Sequence, residues 1–118
     1  MNMKTAAIIA GAIVLIFIGA ALTTGKPAYF DDNSPVMYFY SETCHFCIQE
    51  KPILAELAKE GFRLKPINIA TQQAVFQKYG VLGTPAFISS KNSTARLDGF
   101  QEKEPLRIFL LANGAKIA

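Results

Sequence analysis

Ser41-Glu42-Thr43-Cys44-His45-Phe46-Cys47 contains both cysteines of the chain, two residues apart. Before it, Val36-Met37-Tyr38-Phe39-Tyr40 is an apolar, aromatic-rich run that predicts a buried strand. After it, Ile48 to Glu60 predicts a helix. A strand thus delivers a C-x-x-C to the first turn of a helix, where unpaired N–H groups and partial positive charge favour a thiolate over a thiol. Cys44, at the start, gains most, and Cys47, nearly a turn further in, is placed to close a disulfide back onto it. Other uses of the pair fit less well. A structural zinc site takes four ligands, and the chain has one C-x-x-C and one histidine. Haem attachment requires His directly after the second Cys, and that residue is Ile48. A purely structural disulfide stays open, although so small a loop constrains little of the unfolded chain.

The 118 residues suffice for one domain. Hydrophobic side chains make up 51%, and the excess is concentrated at the N-terminus. Beyond residue 24, eleven basic and nine acidic side chains are interleaved, so no stripe for nucleic acid is present. There are no internal repeats.

From Ala6 to Leu22 no side chain is charged or strongly polar. A core helix would show a polar face, so this segment is expected to cross a bilayer as a retained anchor. Lys4 before it places that end in the cytoplasm, weakly balanced by Lys26 after it. A signal peptide cleaved after Ala21, at Gly19-Ala20-Ala21, is the competing reading. The organisation expected is an anchor or signal peptide over 1–24, a turn-rich linker over 25–34, and a folded domain over 35–118.

Within that domain the helix after Cys44 carries Ile53, Leu54, Leu57 and Ala58 inward, with Glu50, Lys51, Glu56 and Lys59 expected outside. Pro52 lies within it and should kink it, and Gly61 should stop it. Phe62–Ile69 predicts a second strand, parallel to the first because a helix intervenes. Thr71 is expected to cap a helix over Gln72–Tyr79 that Gly80 closes. Ala86-Phe87-Ile88 predicts a third strand, Thr94–Leu97 a fourth, and Pro105 the first turn of a last helix, Leu106–Ala112.

This order, and three sequence features, resemble the thioredoxin superfamily over nearly everything after residue 34. The features are Cys44-His45-Phe46-Cys47 after the first strand, Pro52 eight residues past the first cysteine, and Tyr79-Gly80-Val81-Leu82-Gly83-Thr84-Pro85-Ala86, which looks like the cis-proline loop before the third strand. The resemblance implies a thioredoxin-like α/β fold (β-α-β-α-β-β-α), here preceded by one N-terminal transmembrane helix. It departs from thioredoxins proper at several points. Thr43 precedes the first cysteine where they carry Trp, His45-Phe46 replaces Gly-Pro, and Tyr38 replaces a buried acid in the first strand. Thr84-Pro85-Ala86 looks more like the loop of envelope Dsb-type proteins.

The resemblance therefore implies a membrane-tethered Dsb-like or TlpA-like thiol–disulfide oxidoreductase, single-pass in the inner membrane, with its catalytic domain in the periplasm. It implies Cys44 as nucleophile, Cys47 as resolving thiol, and Thr84 and Pro85 as a backbone surface for a substrate strand. His45 is expected to stabilise the thiolate, and Phe46 to cover the sulfurs or offer an apolar patch. No cofactor or metal is implied. Partners would be protein thiols and disulfides, a membrane partner that resets the dithiol, and the bilayer through Ala6–Leu22, with no nucleic acid. Two further readings are a reductase serving cytochrome maturation or isomerase recycling, and a non-catalytic adaptor of a membrane or secretion complex.

Overall fold

The computed structural model describes residues 25–118. The proposed span Ala6–Leu22 lies outside the described residues. Among the described residues no helix is long and apolar enough to cross a membrane.

The chain is organised on β1, Val36–Tyr40, whose side chains are apolar on both sides of the pleat. Alternation sends Val36 and Tyr38 to one face, against Leu54, Leu57, Phe87, Leu106 and Leu110. It sends Met37 and Phe39 to the other, against Ile67, Phe76, Ala86 and Ile88. A strand covered on both faces has no reason to alternate apolar with polar, which is why its sequence does not.

Helix α1 spans His45–Lys59, followed by β2, Lys65–Asn68, and α2, Gln73–Lys78. Strands β3, Ala86–Ser89, and β4, Arg96–Asp98, precede α3, Lys103–Ala112. The sheet order is β2-β1-β3-β4. Strand β1 pairs parallel with β2, Met37 opposite Lys65, and antiparallel with β3, Phe39 opposite Ala86. Strand β4 runs antiparallel to β3. The result is a thioredoxin-like mixed sheet, with α1 and α3 contributing to one core and α2 to the other.

Four sequence expectations change. The second strand is shorter than Phe62–Ile69, because residues 62–64 pair with the segment before β1 and with the segment after α3 instead of with β1. The N–H of Leu64 donates to the Tyr29 carbonyl at 2.7 Å, and that of Arg63 to the Ala115 carbonyl at 2.9 Å. Residues 25–34 are likewise not all free linker. Tyr29 is only 7% exposed and packs in the core, with the Phe30 ring edge-on to it. Thr71 does not cap α2; the cap position is Gln72, which makes no side-chain cap bond but accepts the Asn68 N–H at 3.2 Å. Helix α3 begins three residues before Leu106, with Pro105 still in its first turn, where a missing N–H costs nothing.

Helix α1 ends where expected. Gly61 has φ +97, and the Ala118 carbonyl oxygen lies where a side chain would begin. Arg107 of α3 reaches Glu60 with both Nε and Nη2 at 2.8 Å, fastening the two helices on the side away from the cysteines.

Candidate active site

The cysteines lie at the N-terminus of α1 and form a Cys44–Cys47 disulfide. Cys44 is the N-cap, in extended conformation, and the backbone N–H of Cys47 donates to its Sγ at 3.1 Å. Small polar residues usually fill that position; here sulfur does, and the N–H that would satisfy a hydroxyl points at the sulfur. Cys44 is partly exposed, whereas Cys47 is 2% exposed. On reduction, the helix N-terminus and the Cys47 N–H favour negative charge on Cys44 Sγ more than on Cys47.

The loop before β3 lies across the cysteines. The Thr84–Pro85 bond is cis and Pro85 is fully buried. Cys44 Sγ is 3.4 Å from the Thr84 carbonyl oxygen. A disulfide sulfur carries no proton, so this is a contact here; the thiol formed on reduction can donate across it. The Pro85 carbonyl accepts the Gly99 N–H at 2.8 Å, which ties the loop to the turn after β4. Four residues from two parts of the sequence, Cys44, Cys47, Thr84 and Pro85, thus come together.

His45 and Phe46 occupy the first two positions of α1 and face solvent. The His45 Nε2 lies 3.2 Å from Gln49 Nε2, and the Phe46 ring stands edge-on to His45 at 5.4 Å. Phe46 is 54% exposed, and Ile48 and Leu82 also present apolar side chains to solvent. Among the described residues no group of His, Cys, Asp and Glu could hold a metal ion.

Glu50 corrects the sequence reading most sharply. Expected on the outer face of α1, its side chain is 0% exposed. Its Oε1 accepts the Gln101 N–H at 2.8 Å, and its Oε2 has no partner among the described residues. Burial pushes the carboxyl up to about 7, with the Gln101 bond opposing. Nearby Tyr38 is pushed up too, first by burial and then by the Glu50 charge. A cavity of about 400 Å³ is lined by Tyr29, Phe30, Tyr38, Tyr40 and Cys47, with Lys51 among its polar residues.

With this geometry in view, comparison with known proteins adds three findings. The thioredoxin family matches residues 28–112. Among solved structures, a mutant thioredoxin from Halobacterium salinarum NRC-1 superposes with a TM-score of 0.62 at 19% identity, covering 80% of this chain and 98% of that one. A structure described as that of a malarial protein gives 0.57 at 24% identity, over 66% of this chain and 93% of its own. Both structural likenesses speak for the fold. No curated protein matches the chain.

Proposed function

Because the chain belongs to the thioredoxin family, we propose that it is a protein thiol–disulfide oxidoreductase working through Cys44 and Cys47. The observation that carries this is the unequal pair at the start of α1, one sulfur partly open and capping the helix, the other buried behind it. In the reducing direction the Cys44 thiolate attacks a substrate disulfide, expelling one substrate sulfur and leaving a mixed disulfide. Cys47 then attacks Cys44 Sγ, the second substrate sulfur leaves, and two electrons have passed to the substrate. The reverse sequence donates a disulfide. Thr84 lies beside Cys44 with its backbone free to pair with a substrate strand, held there by buried Pro85.

The finer reading is a membrane-tethered Dsb-like or TlpA-like protein that displays this domain outside the cytoplasm. Two features favour it: the uncharged run Ala6–Leu22, and Thr84-Pro85-Ala86 in place of the thioredoxin loop. A membrane redox partner would reset the pair. Turnover of insulin disulfides by the full chain tests the chemistry, and loss of turnover in Cys44→Ser is the expected result. Carbonate extraction and N-terminal sequencing of the mature protein test the tether. A soluble chain beginning near Leu22 would replace the anchor with a cleaved signal.

A further inference from the structure

We propose that the face formed by residues 26–29 and the stripe Lys51, Ala55 and Lys59 of α1 lies on the headgroups of an anionic membrane, holding the cysteines at the bilayer surface. The inference deepens the tethered reading above and rests on it.

Helix α1 segregates its charges. Glu56 and, just past the helix end, Glu60 turn towards α3, where Lys103 reaches them at 3.2 and 3.5 Å and Arg107 holds Glu60 at 2.8 Å. Lys51, Ala55 and Lys59 recur every fourth residue, so they share another stripe, and all three are exposed. Neither lysine has an ion pair among the described residues. The Arg63 guanidinium lies nearby, donating to the Ala58 carbonyl at 3.0 Å, also with no carboxylate partner among the described residues.

The entering chain runs beside this stripe. Pro27 and Tyr29 line two open cavities, one of about 400 Å³ that takes in Lys26 and Lys51, and one of about 490 Å³ that takes in Ala55 and Lys59. The second is apolar apart from its lysine. The acids recorded against this face are Glu42, in the first cavity, and Asp32, which pairs with Lys26 at 3.5 Å. What results is a concave apolar strip edged by lysines whose counter-charge is missing.

The position of the tether and the sign of the charge select the occupant. Leu22 ends the uncharged run, and Lys26 follows four residues later, a reach of about 14 Å at most. Tyr29 is fixed in the core, its carbonyl accepting the Leu64 N–H at 2.7 Å. With Ala6–Leu22 in the bilayer, the strip beside Lys26 therefore stays close to the membrane surface. A second copy of the chain fits less well. Two-fold pairing across this face would set lysines against lysines, and two concave strips would leave both cavities unfilled. Anionic headgroups supply the counter-charge, and the lysine stems can lie along the apolar strip while their ammonium groups reach phosphate. Lys51 and Lys59 are about 12 Å apart along the α1 axis, so contact through both lays the helix along the membrane. Cys44, at the N-terminus of the same helix, is then kept at membrane level, where a membrane partner can reset the pair.

Acetylation of lysines by N-hydroxysuccinimidyl acetate, read residue by residue from peptide masses, tests the face in the full chain reconstituted into vesicles. Vesicles of phosphatidylcholine alone are compared with vesicles that also contain phosphatidylglycerol. Exposed Lys91, between β3 and β4, is the reference. Relative to Lys91, Lys51 and Lys59 should label about threefold slower or more on the anionic vesicles. The difference should vanish at about 1 M salt, where the screening length falls to about 3 Å. Lys59→Glu should restore the labelling of Lys51. Equal relative labelling on the two lipids, or protection that survives salt, would overturn the proposal, and protection on both lipids would mark a second copy as the cover. An alkaline carbonate wash of the same samples checks the tether. A chain that stays with the vesicles without lipid-dependent protection loses the docking face and keeps the anchor. A chain that washes off loses the anchor, and the docking face with it.

Discussion

The two sulfurs of one disulfide face different parts of the molecule. Cys44 caps α1, receives the Cys47 N–H, touches the Thr84 carbonyl, and is flanked by exposed His45 and Phe46. Cys47 faces inward, bordering an aromatic cavity, one helical turn before a fully buried acid. Three residues of separation at the start of a helix are enough to give one sulfur a surface environment and the other a core environment. The chemistry of exchange uses that difference: attack on a partner requires access and a stabilised thiolate, whereas resolution requires a thiol that stays protonated until needed.

The comparison breaks most visibly if the roles are exchanged. Cys44→Ser should abolish exchange, whereas Cys47→Ser should accumulate mixed disulfides with substrates, seen on non-reducing gels. Trapping by Cys44→Ser and none by Cys47→Ser would invert the assignment. A second measurement compares the thiols directly. In the reduced protein, iodoacetamide should label Cys44 roughly tenfold faster than Cys47 or more, read from peptide masses over time. Equal rates would mean that the burial of Cys47 is lost on reduction.

What the sequence revealed and what it hid follow one physical line. Strand β1 was legible to the residue, because it is a run of five apolar or aromatic side chains, the first four of them buried. The cysteine pair was legible because its partners, the preceding strand and the following helix, are adjacent in the chain. Glu50 was not, because helical spacing groups it with Lys51 and the polar positions of α1. The segment after β4 meets it from 51 residues away, through the Gln101 N–H. Tyr29 and Phe30 were hidden in the same way: turn-forming neighbours suggested a linker, while their contacts with Leu64 and the core are non-local. Two adjacent aromatic residues in a turn-rich stretch were the available sign. The strand predicted over residues 62–69 was too long because its first half is β-like in composition but bridges to Phe30, before β1, and to Lys116, after α3.

The inward region can be sharpened through stability. The Glu50 carboxyl is raised in the fold from an ordinary 4.5 to about 7. The folded protein therefore binds a proton that the unfolded chain releases between these values. The stability this confers is fully present below about 4.5 and is lost as pH rises through about 7. The full shift would correspond to a few kcal/mol; allowing for residual solvation, a loss on the order of 2 kcal/mol is expected. Denaturation of wild type and Glu50→Gln between pH 5 and 8 gives the difference, and subtraction cancels acids such as Glu60 that act in the opposite sense. A wild-type stability that, relative to Glu50→Gln, stays flat or falls towards acid would show that the carboxyl is not held neutral.

The smallest effect belongs to the outward region and concerns the direction of electron flow. A cation on His45, next to Cys44, would stabilise the thiolate, which exists only in the reduced pair, and so would raise the reduction potential. Tyr38, standing where thioredoxins carry a buried acid, acts the same way by omitting a negative charge, although Glu50 restores some of it from another position. Phe46 could oppose both by desolvation, but at 54% exposure it excludes little water. The potential of the disulfide is therefore expected above the thioredoxin value of about −270 mV, at roughly −120 to −220 mV. The share due to His45 should be modest, because its ring is exposed and lies against Gln49. Equilibration with glutathione buffers should show His45→Ala lowered by about 15 to 30 mV, about 1 kcal/mol. The shift should shrink at about 1 M salt, where the screening length falls to about 3 Å. A wild-type value below about −260 mV would instead mark a thioredoxin-like reductase. An unchanged or raised potential in His45→Ala would remove the histidine from the tuning of Cys44.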